Sequence, residues 1–289
     1  MKVISQQEIY LQVEGGGDDN FEFSHTSFLL QDGSNFYKTR NFKRMTRNLD
    51  KIDLSELEIE QVPIPVEHYR PLVYDKLIIA PAPIPEGYHQ KSPSLISYSS
   101  SNPALLSRIL LQEAQICDLL ASRPHPNVAT YHGCIVEDGR IAGLCFTKYP
   151  QTPVNRMYHD NRSFDVQCCL QQIEEGIRHL HGLGLVHNDI NPSNVMLDKN
   201  DHAVIIDLDS CCQEGKVDAM CGTYMWTDDG YDDNCAKREN DFCGLRKIRD
   251  WIEDPEPFHW NSWKDKEKHQ QQGHHGQLDR EGRECYLCK

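Results

Sequence analysis

The pattern of hydrophobic and polar positions divides the chain into a mixed opening, a well-patterned middle and a polar end. Phe21–Leu30 reads as a strand, followed by a basic stretch, TRNFKRMTRN, and an acidic one, DLSELEIE. Residues 1–70 are therefore expected to form an extension with some structure, and EGGG at Glu14–Gly17 a flexible joint. From Pro71 the pattern sharpens. Leu77–Ala80 is a short apolar run, PAPIPEG a turn, and Tyr88–Tyr98 a second strand. Asn102 suits a helix cap and Pro103 a first turn; Leu106, Ile109, Leu110, Ile116 and Leu120 then recur at helical spacing as far as RPHP. Val128–Val136 and Ile141–Phe146 predict strands joined by EDGR. A second helix is predicted from Ser163, with Val166, Cys169, Leu170, Ile173, Ile177 and Leu180 on one face and the glycines of HGLGL at its end. Short strands at Val195–Leu197 and Ala203–Ile206 follow. Beyond Ile252 the chain is polar, interrupted by proline and nearly free of aliphatics, which predicts a mostly disordered tail.

Length and charge narrow the function. A chain of 289 residues has room for two lobes with their own cores. The net charge of −14, with no dominant Lys/Arg cluster, argues against nucleic acid or an anionic membrane as the main partner and leaves room for a small anionic ligand. No apolar run approaches the roughly 18–20 residues of a membrane span, and the N-terminus lacks the apolar core of a secretory signal. The twelve cysteines include adjacent pairs, Cys168/Cys169 and Cys211/Cys212, inside apolar or strand-like segments. Reduced thiols in a cytoplasmic or nuclear protein, not a secreted one, are the expectation.

The chemistry concentrates in HNDINPSNVMLDKNDHAVIIDLDS, His187–Ser210. It holds H-x-D-x-x-x-x-N (His187, Asp189, Asn194) and then Asp207 at the end of an apolar run. Phosphoryl transfer needs a carboxylate to orient and receive the proton of the attacking hydroxyl, and hard oxygen ligands for Mg²⁺. Asp189 suits the first role; Asn194 and Asp207 suit the second. Each alone would read as a turn cap, but the order and spacing of the set point to function.

On these residues the chain resembles the eukaryotic protein-kinase superfamily from about Leu77 to Ile252, and most closely a divergent set of kinase-like proteins of filamentous fungi that share HND-x-N-P and D-x-D-S. The resemblance implies an α+β, bilobal protein-kinase-like fold. Residues 71–149 would be a small β-rich lobe with helix C, and 150–253 a larger, mainly helical lobe, incomplete after helix F. Residues 1–70 and 254–289 would be the extension and the tail. It also implies ATP and Mg²⁺ as cofactors and a protein Ser/Thr hydroxyl as acceptor. Lys91, with Lys76 as the alternative, would be the phosphate-binding lysine paired with Glu113 of helix C. Thr147, Lys148, Tyr149 and Pro150 would form the end of the last strand and the hinge that binds the adenine edge, with Thr147 as gatekeeper. Cys221-Gly222-Thr223 resembles the substrate platform, and Asp241 the buried aspartate that holds the catalytic-loop backbone.

The departures are specific. No G-x-G-x-x-G precedes Lys91, the D-F-G position reads Asp207-Leu208-Asp209, Asn188 and Asn191 replace the arginine and lysine expected beside the catalytic aspartate, and no A-P-E follows. These keep two alternatives open: a pseudokinase acting as a binding or scaffold module, and a small-molecule kinase of the aminoglycoside or choline type. The acidic run Asp228, Asp229, Asp232 and Asp233 suggests basic substrates, and His274, His275, Cys285 and Cys288 make only a weak zinc motif.

Overall fold

The structure is a computed structural model and describes residues 1–12, 21–46, 48–57, 62–160, 162–217, 222–223, 226–227, 235–253, 276–278 and 284–285. The chain forms two compact units. The first comprises residues 1–69, 94–107 and 258–289, and the second residues 70–93 and 108–257.

The first unit is built on an antiparallel sheet of β1 (Lys2–Gln12), β2 (Phe21–Asp32), β3 (Asn35–Asn41) and β4 (Val62–Ile64), in that spatial order. Gly276–Leu278 runs parallel to β1 on its other edge, and Glu284–Cys285 pairs with that segment. Both faces of the sheet are covered. Phe28 and Leu30 pack with Leu57 on one side, while Leu29 packs with Ile64, Tyr69, Ile96, Tyr98 and Leu106 on the other. Residues 94–107 thus lie with the opening segment, and the strand predicted to Tyr98 ends at Lys91, two residues before Pro93. Proline has no N–H to continue a ladder. Glu8 is buried in this sheet, where it accepts from the Tyr10 hydroxyl at 2.5 Å, Arg44 at 2.9 Å and the Met45 N–H at 3.0 Å.

The second unit has a protein-kinase-like fold. Its three-stranded antiparallel sheet has β7 (Arg140–Thr147) in the centre, flanked by β5 (Tyr88–Lys91) and β6 (Tyr131–Glu137). The β6–β7 turn places Asp138 and Gly139 at φ +50° and +73°, the backbone of a tight two-residue hairpin. Helix α1 (Leu105–Ala121) begins later than its proline suggested; from residue 108 it belongs to this unit. Its Leu110, Ala114, Cys117 and Leu120 pack with Tyr131, Leu144, Phe146, Leu180 and Leu208 in one core. Asn127, buried after α1, donates to the Ala203 carbonyl at 2.7 Å and accepts from Ile205 N–H at 2.9 Å.

Helices α2 (Pro153–His159) and α3 (Val166–Gly182) follow, then the short strands β8 (Leu185–Val186), β9 (Val195–Leu197), β10 (Ala203–Ile205) and β11 (Cys212–Gln213) and helix α4 (Arg238–Glu253). The start of α3 is fixed by Asp165, whose carboxylate caps Cys168 N–H at 2.9 Å. Arg156 of α2, 1% exposed, forks onto Asp201 at 3.0 and 2.9 Å and donates to the carbonyls of Arg162 and Ser163. The apolar face of α4 is covered from within this unit: Trp251 meets Trp226 edge-on at 6.2 Å, and Phe242 meets His181 at 5.3 Å. Gly244 lets the loop around Ile190 approach, since a Cβ there would stand 2.2 Å from the Ile190 carbonyl oxygen. No helix among the described residues is long and apolar enough to cross a membrane. The tail motif with His274 and Cys288 and the acidic run 228–233 lie outside the described residues.

Candidate active site

Three chain segments meet at Lys91. Its Nζ, at the end of β5, lies 2.6 Å from Glu113 Oε1 on α1 and 2.7 Å from Asp207 Oδ1 after β10, with Asp209 Oδ2 at 4.0 Å. Burial alone would lower the lysine's pKa. The charges of Glu113 and Asp207 outweigh it, and the ammonium is held well above the usual lysine range. A quarter of the Lys91 side chain still reaches solvent, whereas Glu113 is 1% exposed. Glu113 also accepts the Leu208 N–H at 3.2 Å, which ties α1 to the residue beside Asp207. Asp207 sits at φ +63°, a left-handed backbone unusual for a residue with a side chain. The nearby Cys117 and Cys211 thiols are pushed up by burial and stay uncharged.

The second half of the site is the loop from His187 to Asn194. Asp241 of α4, fully buried, accepts from the backbone N–H of His187 at 2.9 Å and of Asn188 at 2.8 Å, and meets His181 Nε2 at 2.8 Å. His187 Nε2 faces the Ile206 carbonyl at 3.0 Å, so Nε2 carries the proton and Nδ1 accepts the Asp189 N–H at 3.3 Å. Asn188, at φ +63°, donates to the Ser210 carbonyl and to Cys212 Sγ, both at 3.2 Å, and accepts from Asn240 at 3.0 Å. A neutral amide thus links the catalytic loop to the segment after Asp209.

Asp189 is 8% exposed and held by neutral donors. Its Oδ1 accepts from the Thr223 N–H at 2.7 Å and hydroxyl at 2.8 Å; its Oδ2 accepts from Asn194 Nδ2 at 2.7 Å. Asn191 Nδ2 reaches the Thr223 hydroxyl oxygen and the Asp189 carbonyl, both at 3.3 Å. Gly222 makes the Thr223 contact feasible, because a Cβ there would meet the Asn188 carbonyl oxygen and the Thr227 methyl at 2.7 Å. With the Asn194 nitrogen committed to two Asp189 oxygens, its amide oxygen is the atom left for a cation. Asn194 and Asp207 together offer hard oxygen donors of the kind Mg²⁺ takes.

The sheet register corrects the expected gatekeeper. Directly paired residues of an antiparallel ladder share a face, and Lys91 pairs with Leu144, His89 with Phe146 and Tyr88 with Thr147. Phe146, 7% exposed and 5.6 Å from the Tyr131 ring, therefore lies on the Lys91 face. Thr147 lies on the other, where its hydroxyl meets His132 Nε2 at 2.8 Å and His132 stacks on Tyr88 at 3.8 Å. The resemblance implies Thr147, next to the hinge; the side chain that shares the lysine's face is one residue earlier. In the hinge itself, Lys148 N–H bonds the Gly87 carbonyl at 3.1 Å and Pro150 has no N–H. Tyr149 N–H donates to no acceptor among the described residues.

Comparison with known proteins matches this region. Residues 96–228 match the protein kinase domain, just under half of the chain; Lys91 and Asp241 stand outside that stretch. Ribosomal protein S6 kinase 2 beta of Xenopus laevis is 28% identical over 118 residues, 37% of this chain and 18% of that protein. Ribosomal protein S6 kinase alpha-1 of Mus musculus and of Homo sapiens is also 28% identical over 118 residues, covering 16% and 15% of those proteins. The match thus spans a small fraction of the length of these relatives. In fold and in the residues around its catalytic loop, the chain is protein-kinase-like.

Proposed function

We propose that the chain is an ATP-dependent phosphotransferase of the protein-kinase type, passing the γ-phosphoryl group of ATP to a Ser or Thr hydroxyl of a protein. The observation that carries this reading is the joint placement of Lys91, Glu113 and Asp207 within 2.7 Å contacts, beside an Asp189–Asn194 pair also 2.7 Å apart. In this reading Lys91, oriented by Glu113, grips the α- and β-phosphates. The stretch Thr147–Pro150 lines the adenine edge, with Tyr149 N–H as its free donor. Asn194 and Asp207 would hold Mg²⁺, which when bound neutralises charge on the phosphates. Asp189 accepts the hydrogen bond of the incoming hydroxyl and then its proton. Thr223 and Asn194 hold the carboxylate in place for that exchange. The wording HND-x-N-P and D-x-D-S supports the nearer likeness to kinase-like proteins of filamentous fungi.

A second reading, nucleotide binding without transfer, is favoured by one observation. Among the described residues no lysine or arginine pairs with Asp189, so no fixed cation stands beside the transferred group. Calorimetric titration of ATP with and without Mg²⁺, followed by a phosphotransfer assay on the same sample, tests both. Tighter binding with Mg²⁺ plus transfer supports the first reading, and tighter binding alone supports the second. Equal or absent binding in both conditions overturns the nucleotide site altogether.

A further inference from the structure

We infer that Asp209 makes the site discriminate against nucleotide that carries no divalent cation. The inference rests on the nucleotide reading above and adds a residue to it: where the resemblance expects the glycine of D-F-G, this chain has a carboxylate. Asp209 is buried, 6% exposed, with Oδ1 accepting the Ser210 hydroxyl at 3.1 Å and Oδ2 4.0 Å from Lys91 Nζ. Leu208, just before it, is also buried; it packs in the core with Leu144 and donates its N–H to Glu113. With Leu208 turned into the core, the carboxylates on either side of it face the lysine, at 2.7 and 4.0 Å.

One ammonium therefore meets three carboxylates, and the four groups sum to two negative charges. Glu113 and Asp209 are both buried, where salt screens charge least. The phosphates of a bare nucleotide bring further negative charge to a lysine whose attraction is already countered. A nucleotide whose phosphates carry Mg²⁺ brings less, and its cation is drawn to the excess of carboxylate. With glycine at position 209 the remaining three groups would sum to one negative charge, so Asp209 doubles the excess. It acts on the charge of the nucleotide through Lys91 and touches no reacting atom in this reading.

Titration of the full chain with ATP, in Mg²⁺ and in a chelator, reads the discrimination as a ratio of two affinities. Asp209→Asn keeps the shape and removes the charge; it is expected to tighten metal-free ATP about ten-fold and to shrink the ratio. Asp209→Glu is expected to keep the ratio near that of wild type. A gain in affinity is a result that damage to the fold does not produce. The wild-type chain gives a second measurement: in chelator, affinity is expected to fall from AMP through ADP to ATP. Metal-free ATP affinity that is unchanged or weaker in Asp209→Asn overturns the inference, as does a wild-type series that holds level or rises with each phosphate. Both results leave Mg²⁺-dependent ATP binding, and so the nucleotide reading, intact. Equal ATP binding by wild type in the two conditions, or none in either, removes the nucleotide reading and the inference with it.

Discussion

The two halves of the candidate site are held by different physics. Around Lys91 the bonds are ionic: one ammonium faces Glu113, Asp207 and, further off, Asp209. Around Asp189 every hydrogen-bond donor among the described residues is neutral, from Thr223 and Asn194, with Asn191 behind them. Charge is thus concentrated where phosphates would be gripped and missing where a phosphoryl group would be passed on. Binding and transfer are separable demands, because only interactions stronger in the transition state raise the rate. On the proposed reading, the described residues supply a fixed cation for the first demand and none for the second.

Four substitutions probe that contrast. The largest effect is expected for Asp189→Asn, which removes the proton acceptor: single-turnover phosphotransfer should fall on the order of 10²–10⁴-fold, with ATP affinity nearly unchanged by titration. Rates equal to wild type would leave only a nucleotide-binding module. Next, Lys91→Met strands the buried Glu113 carboxylate without its cation and should cost about 3 kcal/mol in urea unfolding. The double variant Lys91→Met/Glu113→Gln should regain part of that loss; no recovery would mean the pair is not what ties α1 to β5. Third, Asn191→Lys supplies a cation to the neutral half and should raise the transfer rate about ten-fold. An unchanged rate would show that charge at this point does not limit transfer.

The smallest effect is a control from outside the site. Glu8 is a buried carboxylate with a structural task only. Burial opposes its ionisation, but the Tyr10 hydroxyl, the Met45 N–H and Arg44 outweigh that and hold its pKa below the ordinary 4.5. A lowered native pKa contributes stability above the unfolded value and loses it as pH falls through the native one. Glu8→Gln should therefore cost about 1 kcal/mol at pH 7 and progressively less as pH falls below the ordinary 4.5, by denaturant melts across that range. A cost that does not shrink with falling pH would show that the carboxylate's charge is not what matters.

The cluster of Asp189, Asn194 and Asp207 was legible as a candidate site because the three lie within one contiguous run with apolar strands inside it. Lys91 and Glu113 came from the resemblance to the kinase family, and the structure brings the two together at 2.6 Å. What stayed hidden depended on register or on cross-chain partners. Phe146 could not be told from Thr147 until β5 and β7 were aligned. The strand β1 was missed since buried Gln6, Gln7 and Glu8 break the alternation that marks a half-buried strand. Arg156 reads as a surface charge until Asp201 and two carbonyls close around it. The short β5 shows the converse, where apolar residues continued past the strand and Pro93 ended it.

The grip of Asp241 on the loop has a consequence in time as well as in space. The amide hydrogens of His187 and Asn188 are bonded to a carboxylate 54 and 53 residues downstream, not to a neighbouring strand. They can exchange with solvent deuterium only when α4 lifts away or frays at its first turns. Deuterium uptake at these two amides therefore reads out the breathing of that helix, and the catalytic loop opens on the helix's clock.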